Sequence, residues 1–185
     1  MKCVKSIYKE TNEIKKSKFI SYLMPIELFR DNLALIRQEH PKANHIIYAY
    51  RELNEYKQIV ENSSDDGEPK GAAGVPTLNY LRGEDIINSA IITVRYFGGI
   101  KLGVGGMVRA YGTSAKKVIN SADLIDYEEL VEFKIVDKYA RQREIEYLLN
   151  KLDISPINRN FLEDRVEWSL KISENKLERL KKLLV

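Results

Sequence analysis

The sequence is poor in the residues from which most catalytic and metal centres are built. It has one cysteine, Cys3, and two histidines, His40 and His45, among 185 residues. A lone cysteine cannot close a disulfide within the chain, which predicts a reducing compartment. A Cys–His nucleophilic pair would need the N-terminus to fold against the segment 44–51, and no third orienting group is identifiable. One cysteine and two histidines without close spacing do not make a zinc site. No apolar run approaches the ~20 residues that cross a bilayer. The N-terminus, with Lys2, Lys5 and Lys9 among polar residues, offers no apolar signal core. These absences predict a soluble, cytoplasmic, monomeric protein with no metal, no small-molecule cofactor and no membrane partner.

Acid is missing from one long stretch. Between Asp85 and Asp123 there is no carboxylate, while Arg95, Lys101, Arg109, Lys116 and Lys117 all fall inside it. Residues 52–68 show the reverse, with six acids and Lys57 as the one cation. The net charge of +3 therefore understates how strongly one region could attract phosphate.

Within the acid-free stretch lies VRYFGGIKLGVGG at 94–106, with five glycines in the nine positions 98–106. It is neither of the standard phosphate loops. Gly98 and Gly103 have the spacing of a P-loop, but Val104 stands where lysine is needed. Gly103 and Gly105 would require glycine at Val108 for a dinucleotide fingerprint. What remains is bare backbone at the start of a helix beginning near Val104, with Lys101 before it and Arg109 one turn in. Its N–H groups and dipole suit an anion. A tight strand-to-helix turn would use the same glycines for packing alone.

The rest of the chain reads as short strands and amphipathic helices. Extended segments at 4–11 and 17–25 flank a turn expected at Asn12-Glu13, and a helix over 27–39 is stopped by Pro41. Strands follow at 44–51 and 56–62. SSDDGEPKG at 63–71 is loop chemistry, and a helix follows it with Pro76 in its first turn. The β-branched run at 86–97 is a central strand. On the helix over 104–122, Val104, Val108, Tyr111, Ala115, Val118, Ile119 and Ala122 form the stripe expected inside. Arg109, Thr113, Lys116 and Asn120 form a polar stripe on another face. A domain boundary is placed at 125/126. The second domain reads β-α-β-β-α, a ferredoxin-like split unit without its final strand, whose last helix buries Leu177, Leu180, Leu183 and Leu184. The fold class is α+β.

Two long stretches in order, SSDDGEPKGAAGVPTLNYL and AIITVRYFGGIKLGVGGMVRAYG, resemble the signature pair of the IMPACT/YigZ family. The resemblance covers nearly the whole chain. It implies a first domain (1–125) similar to domain IV of elongation factor G and to a small-subunit ribosomal protein domain, and a ferredoxin-like second domain (126–185). It also implies an association with translation. The family's eukaryotic member carries an additional N-terminal domain and regulates an initiation kinase; this chain is expected to have no room for that domain, and so not to share that partner.

These readings combine into a non-catalytic regulator of translation that binds the ribosome, structured RNA or a translation factor. Its phosphate contacts are expected from Arg95, Lys101, Gly103, Gly105, Gly106, Arg109, Lys116 and Lys117, with Tyr96 and Phe97 available to stack on unpaired bases. Arg95 has a second reading, buried and paired with Asp65 or Asp66. A possible functional cleft joins His45, Asp65, Asp66 and Lys70. Two alternatives stay open: a protein-interaction module without nucleic-acid binding, and a hydrolase using His45, Arg95 and the 65–70 loop. The acids at 65–68 lack the spacing of a calcium loop, and Ser63-Ser64 sits in no nucleophile elbow.

Overall fold

The computed structural model of the chain describes residues 1–184, which divide into two units, Met1–Tyr127 and the residues from Glu128 on. The architecture is α+β with antiparallel sheets. No helix among the described residues is long and apolar enough to cross a membrane.

In the first unit, β2 (Tyr8–Ile14), β3 (Ser17–Pro25), β4 (His45–Leu53), β5 (Ile59–Ser64) and β6 (Ser89–Tyr96) form one sheet in the order β2-β3-β6-β4-β5, every neighbour antiparallel. The strand dense in β-branched residues takes the centre, and all of it but Tyr96 is buried. Side chains alternate across a pleated strand, so β6 feeds two cores. Ile91 meets Leu78 and Leu81 of α2 (Gly74–Gly83) and Ala115 and Val118 of α3 (Val104–Asn120). Ile92 and Val94 meet Phe29 and Ile36 of α1 (Phe29–Glu39) on the other face. Gly112 lets the two helices of the first face close up, since a Cβ there would lie 2.9 Å from Cε2 of Tyr80.

Three expectations for the first unit change. The first turn lies at Lys15-Lys16, not Asn12-Glu13: β2 continues to Ile14, which pairs with Ser17 across a two-residue loop. Both lysines have positive φ, 48° and 65°, the backbone of a type I′ hairpin, which matches the twist of the flanking strands. On α3, Val104 and Val108 are exposed, at 56% and 38%. The core contact of α3 begins only at Met107 and Ala110, packed with Phe19, Ile47 and Tyr111. The boundary falls two residues later than expected, because β1 (Lys2–Cys3) pairs with β7 (Ile125–Asp126) and the Tyr127 N–H donates to the Met1 carbonyl at 3.0 Å.

The second unit runs β8 (Leu130–Lys138), α4 (Gln142–Lys151), β9 (Asn158–Phe161), β10 (Arg165–Ser173) and α5 (Glu174–Leu184), with sheet order β8-β10-β9. Placing β10 between the two strands that α4 connects is the split β-α-β arrangement. Its core holds Trp168, Leu170, Ile145 and Leu180. Leu183, expected inside, is 40% exposed, while Leu177 and Leu184 pack against the core's edge.

Candidate functional site

The glycines of 98–106 are not equivalent. A Cβ on Gly98 would lie 2.0 Å from the Lys16 carbonyl carbon and oxygen, so this residue exists to let the β2–β3 turn touch the strand end. Gly103, with φ of 71°, turns the chain into α3. Gly105 is different: the nearest atom to a Cβ there would be Nη1 of Arg109, at 3.9 Å. Nothing in the fold requires the bareness of Gly105.

That glycine lies in the first turn of α3, whose N-terminus has no capping side chain. The first N–H groups of a helix have no acceptor within it. Here the intrahelical ladder begins with Met107 N–H on the Gly103 carbonyl, at 2.9 Å. The N–H groups of Val104, Gly105 and Gly106 precede it.

Two exposed cations flank this turn, and a third stands about three turns along the helix. Lys101, Arg109 and Lys116 are exposed, and none has an ion-pair partner among the described residues. Lys117 is committed elsewhere: its Nζ donates to the Thr11 carbonyl at 2.7 Å and lies 3.3 Å from a Glu10 oxygen. Two further cations, absent from the set expected on sequence, stand nearby. Lys15 lines a shallow groove with Ile14, Leu102, Gly106, Arg109 and Thr113, and Lys16 follows at the hairpin tip. The signal for them is the alternation of β2 carried on to Ile14, which puts the next two residues at the tip.

Arg95 does not belong to this surface. It is 5% exposed, on the face of β6 covered by α2 and α3. Its Nη1 donates to Oε1 of Glu68 and lies 3.6 Å from Sδ of Met107. Its guanidinium stands 5.7 Å from the Phe19 ring centre and 5.8 Å from that of Phe97, while its Nε has no hydrogen-bond partner. A buried pair was one expectation, but the partner is Glu68 rather than Asp65 or Asp66. Tyr111 donates to the same Glu68 oxygen at 2.7 Å. Burial, with the Glu68 carboxylate beside it, pushes the phenol far above its ordinary range, so it remains a donor. The 63–71 loop and the 94–111 segment thus meet through Glu68.

The residues of the expected cleft are engaged in holding backbone. Asp65 accepts from the N–H groups of Gly71, Ala73 and Gly74 at 2.8, 3.0 and 2.8 Å, capping α2. Burial works to raise its pKa, but these three bonds outweigh it and hold the carboxyl below its usual value. The group therefore stabilises the fold above its unfolded-state pKa, and that contribution is lost as pH falls through the lower folded value. Asp66 accepts from Ile46 N–H at 2.7 Å. His45 Nδ1 lies 2.8 Å from the Asp66 carbonyl, which can only accept, and Nε2 faces Glu68 at 3.8 Å. Lys70 is exposed and outside this cluster. Of the set named for a hydrolase, His45 and Arg95 converge on Glu68, which already serves Arg95 and Tyr111.

Comparison with known proteins gives matches over most of the chain. The Impact N-terminal domain family matches residues 15–119. An IMPACT family member of Haemophilus influenzae is 38% identical over 172 residues, 90% of this chain and 82% of its own length. The IMPACT family member YigZ of Escherichia coli is 34% identical over 154 residues, 80% of this chain and 74% of its own. A crystal structure described as that of a hypothetical protein superposes with a TM-score of 0.68 at 30% identity, over 99% of this chain and 90% of the other.

Proposed function

Because the chain belongs to the IMPACT family, we propose that it acts in translation by gripping the phosphate backbone of ribosomal or other structured RNA, with no catalysis of its own. The association with translation that the family resemblance implies supports the process. The chemistry rests on one observation: an uncapped helix N-terminus beside the exposed, unpaired cations Lys101 and Arg109, with Lys116 farther along the same helix. Phosphate oxygens accept from the first-turn N–H groups while the cations displace condensed counterions. Lys15 and Lys16 extend the surface across the groove that Lys15 shares with Arg109.

Ribosome co-sedimentation and filter binding test this reading. Lys101→Glu with Arg109→Glu should abolish sedimentation and leave the circular dichroism melt in place, since neither side chain packs in the core. Replacing the two by neutral residues should lower the slope of log affinity against log salt by about two, roughly one for each phosphate that no longer meets a cation. Unchanged sedimentation of the charge-reversed protein overturns the proposal.

Gly105→Ala separates the two uses of a glycine. Alanine in a helix is favoured over glycine by up to about 1 kcal/mol, and the site has room for its methyl. The variant should melt at a higher temperature. It should also bind RNA more weakly, because the methyl group stands where a phosphate approaches the backbone. Tighter or unchanged binding would take the first-turn N–H groups out of the contact.

A further inference from the structure

Arg109 lines a second groove, on the α2 side of its helix. This groove has a volume of about 350 Å³ and runs between α2 and α3 past Pro76, Asn79, Tyr80, Val108 and Thr113, with Gly112 at its floor. Such a volume lies near the lower end of the range for small-molecule sites. The ring of Tyr80 lies against Gly112 and, half-buried, packs on the core beneath it, which places it at the wall of the groove. Val104 and Val108, which helical periodicity places inside, stand exposed in the first two turns of α3, and Val75 in the first turn of α2 is 44% exposed.

An apolar strip thus adjoins a cationic one, with Arg109 in both. Duplex RNA does not match that pairing. An A-form helix offers phosphates and 2′-hydroxyls at its surface and keeps its bases stacked inside, so it would neutralise Arg109 and leave the valines and Tyr80 wet. A strand with unpaired bases matches both strips, because each nucleotide carries an anion and a flat apolar face that packs on aromatic and aliphatic side chains. The cations beside the groove favour this polyanion over a neutral apolar peptide.

We propose that the α2–α3 groove takes an unpaired nucleobase, packed against Tyr80 and Val108, from a strand whose phosphates lie along Lys101, Arg109 and the start of α3. The inference rests on the phosphate-binding reading above and adds the class of ligand: single-stranded segments of RNA rather than duplex. One nucleotide step over Arg109 carries the strand from the phosphate ledge, formed by Lys101, Arg109 and the start of α3, into the groove.

The test is fluorescence anisotropy with the full chain and three labelled 12-nucleotide probes: an RNA single strand, the same strand with abasic sites at its centre, and an RNA duplex. The intact single strand should bind roughly tenfold or more tighter than either other probe, the margin expected for one stacked base. Val108→Gln, at an exposed helical position, and Tyr80→Leu should each erase that preference while leaving duplex affinity and its salt dependence as they were. If Tyr80→Leu loosens the fold, Val108→Gln carries the test alone. Equal binding of all three probes, still abolished by Lys101→Glu with Arg109→Glu, overturns the groove and leaves the phosphate ledge standing. Binding of none of the probes overturns both. Tighter binding of an acidic amphipathic peptide than of any strand overturns the inference in favour of protein docking.

Discussion

Arg95→Met should destabilise the first unit by about 3–5 kcal/mol, the cost expected when one partner of a buried ion pair is removed. The side chains of Arg95 and Glu68 are 6% and 3% exposed. Methionine fills most of the arginine's volume between Phe19 and Phe97, so the loss is chiefly electrostatic. The Glu68 carboxylate would keep the Tyr111 hydroxyl as its hydrogen-bond donor, with His45 Nε2 still 3.8 Å away. Urea titration should show the midpoint falling. Adding Glu68→Gln should restore about 1–2 kcal/mol, because a neutral amide still accepts from Tyr111 and no longer buries a charge without a counterion. A double variant no more stable than the single one would mean that the pair contributes through shape alone. A loss below about 1 kcal/mol would mean that water reaches Glu68. The contact of Arg95 with Met107 adds a functional consequence. The first turns of α3 are anchored through Met107 and Ala110, so the single variant should also bind RNA more weakly.

How much of this is legible in the sequence depends on what each residue answers to. The central strand is readable because a run such as AIITV satisfies two cores at once and has few other uses. The glycine-rich turn into α3 is readable because bare backbone between a strand and a helix has only a handful of explanations. The exposure of Val104 and Val108 is not, because helical periodicity reports which residues share a face and not where along its length a helix meets the sheet. The partner of Arg95 is hidden for a related reason. Asp65, Asp66 and Glu68 are all acids of one loop, and only the path of that loop decides that Asp65 turns toward the start of α2 while Glu68 turns into the sheet. The Lys15-Lys16 turn is hidden because its chemistry contradicts its geometry: lysine is a poor residue for the positive φ that both positions adopt.

That contradiction leads to the other large effect. A left-handed residue with a Cβ costs roughly 1–2 kcal/mol, and Asn-Gly is the pair most at ease in a type I′ turn. Lys15→Asn with Lys16→Gly should therefore stabilise the first unit by on the order of 1–2 kcal/mol, seen as a higher melting temperature. The hairpin itself should be unchanged, since Ile14 and Ser17 still pair and Gly98 still meets the backbone of residue 16. If the two lysines serve the turn, nothing further changes. If they serve a polyanion laid along the groove that Lys15 shares with Arg109, the stabilised protein should lose affinity for RNA and its salt slope should fall by about two. A gain in stability accompanied by a loss of binding is the signature of strain retained for function. A gain in stability with binding intact would confine the interface to Lys101, Arg109, Lys116 and the start of α3, and would leave the strained lysines without a role in it.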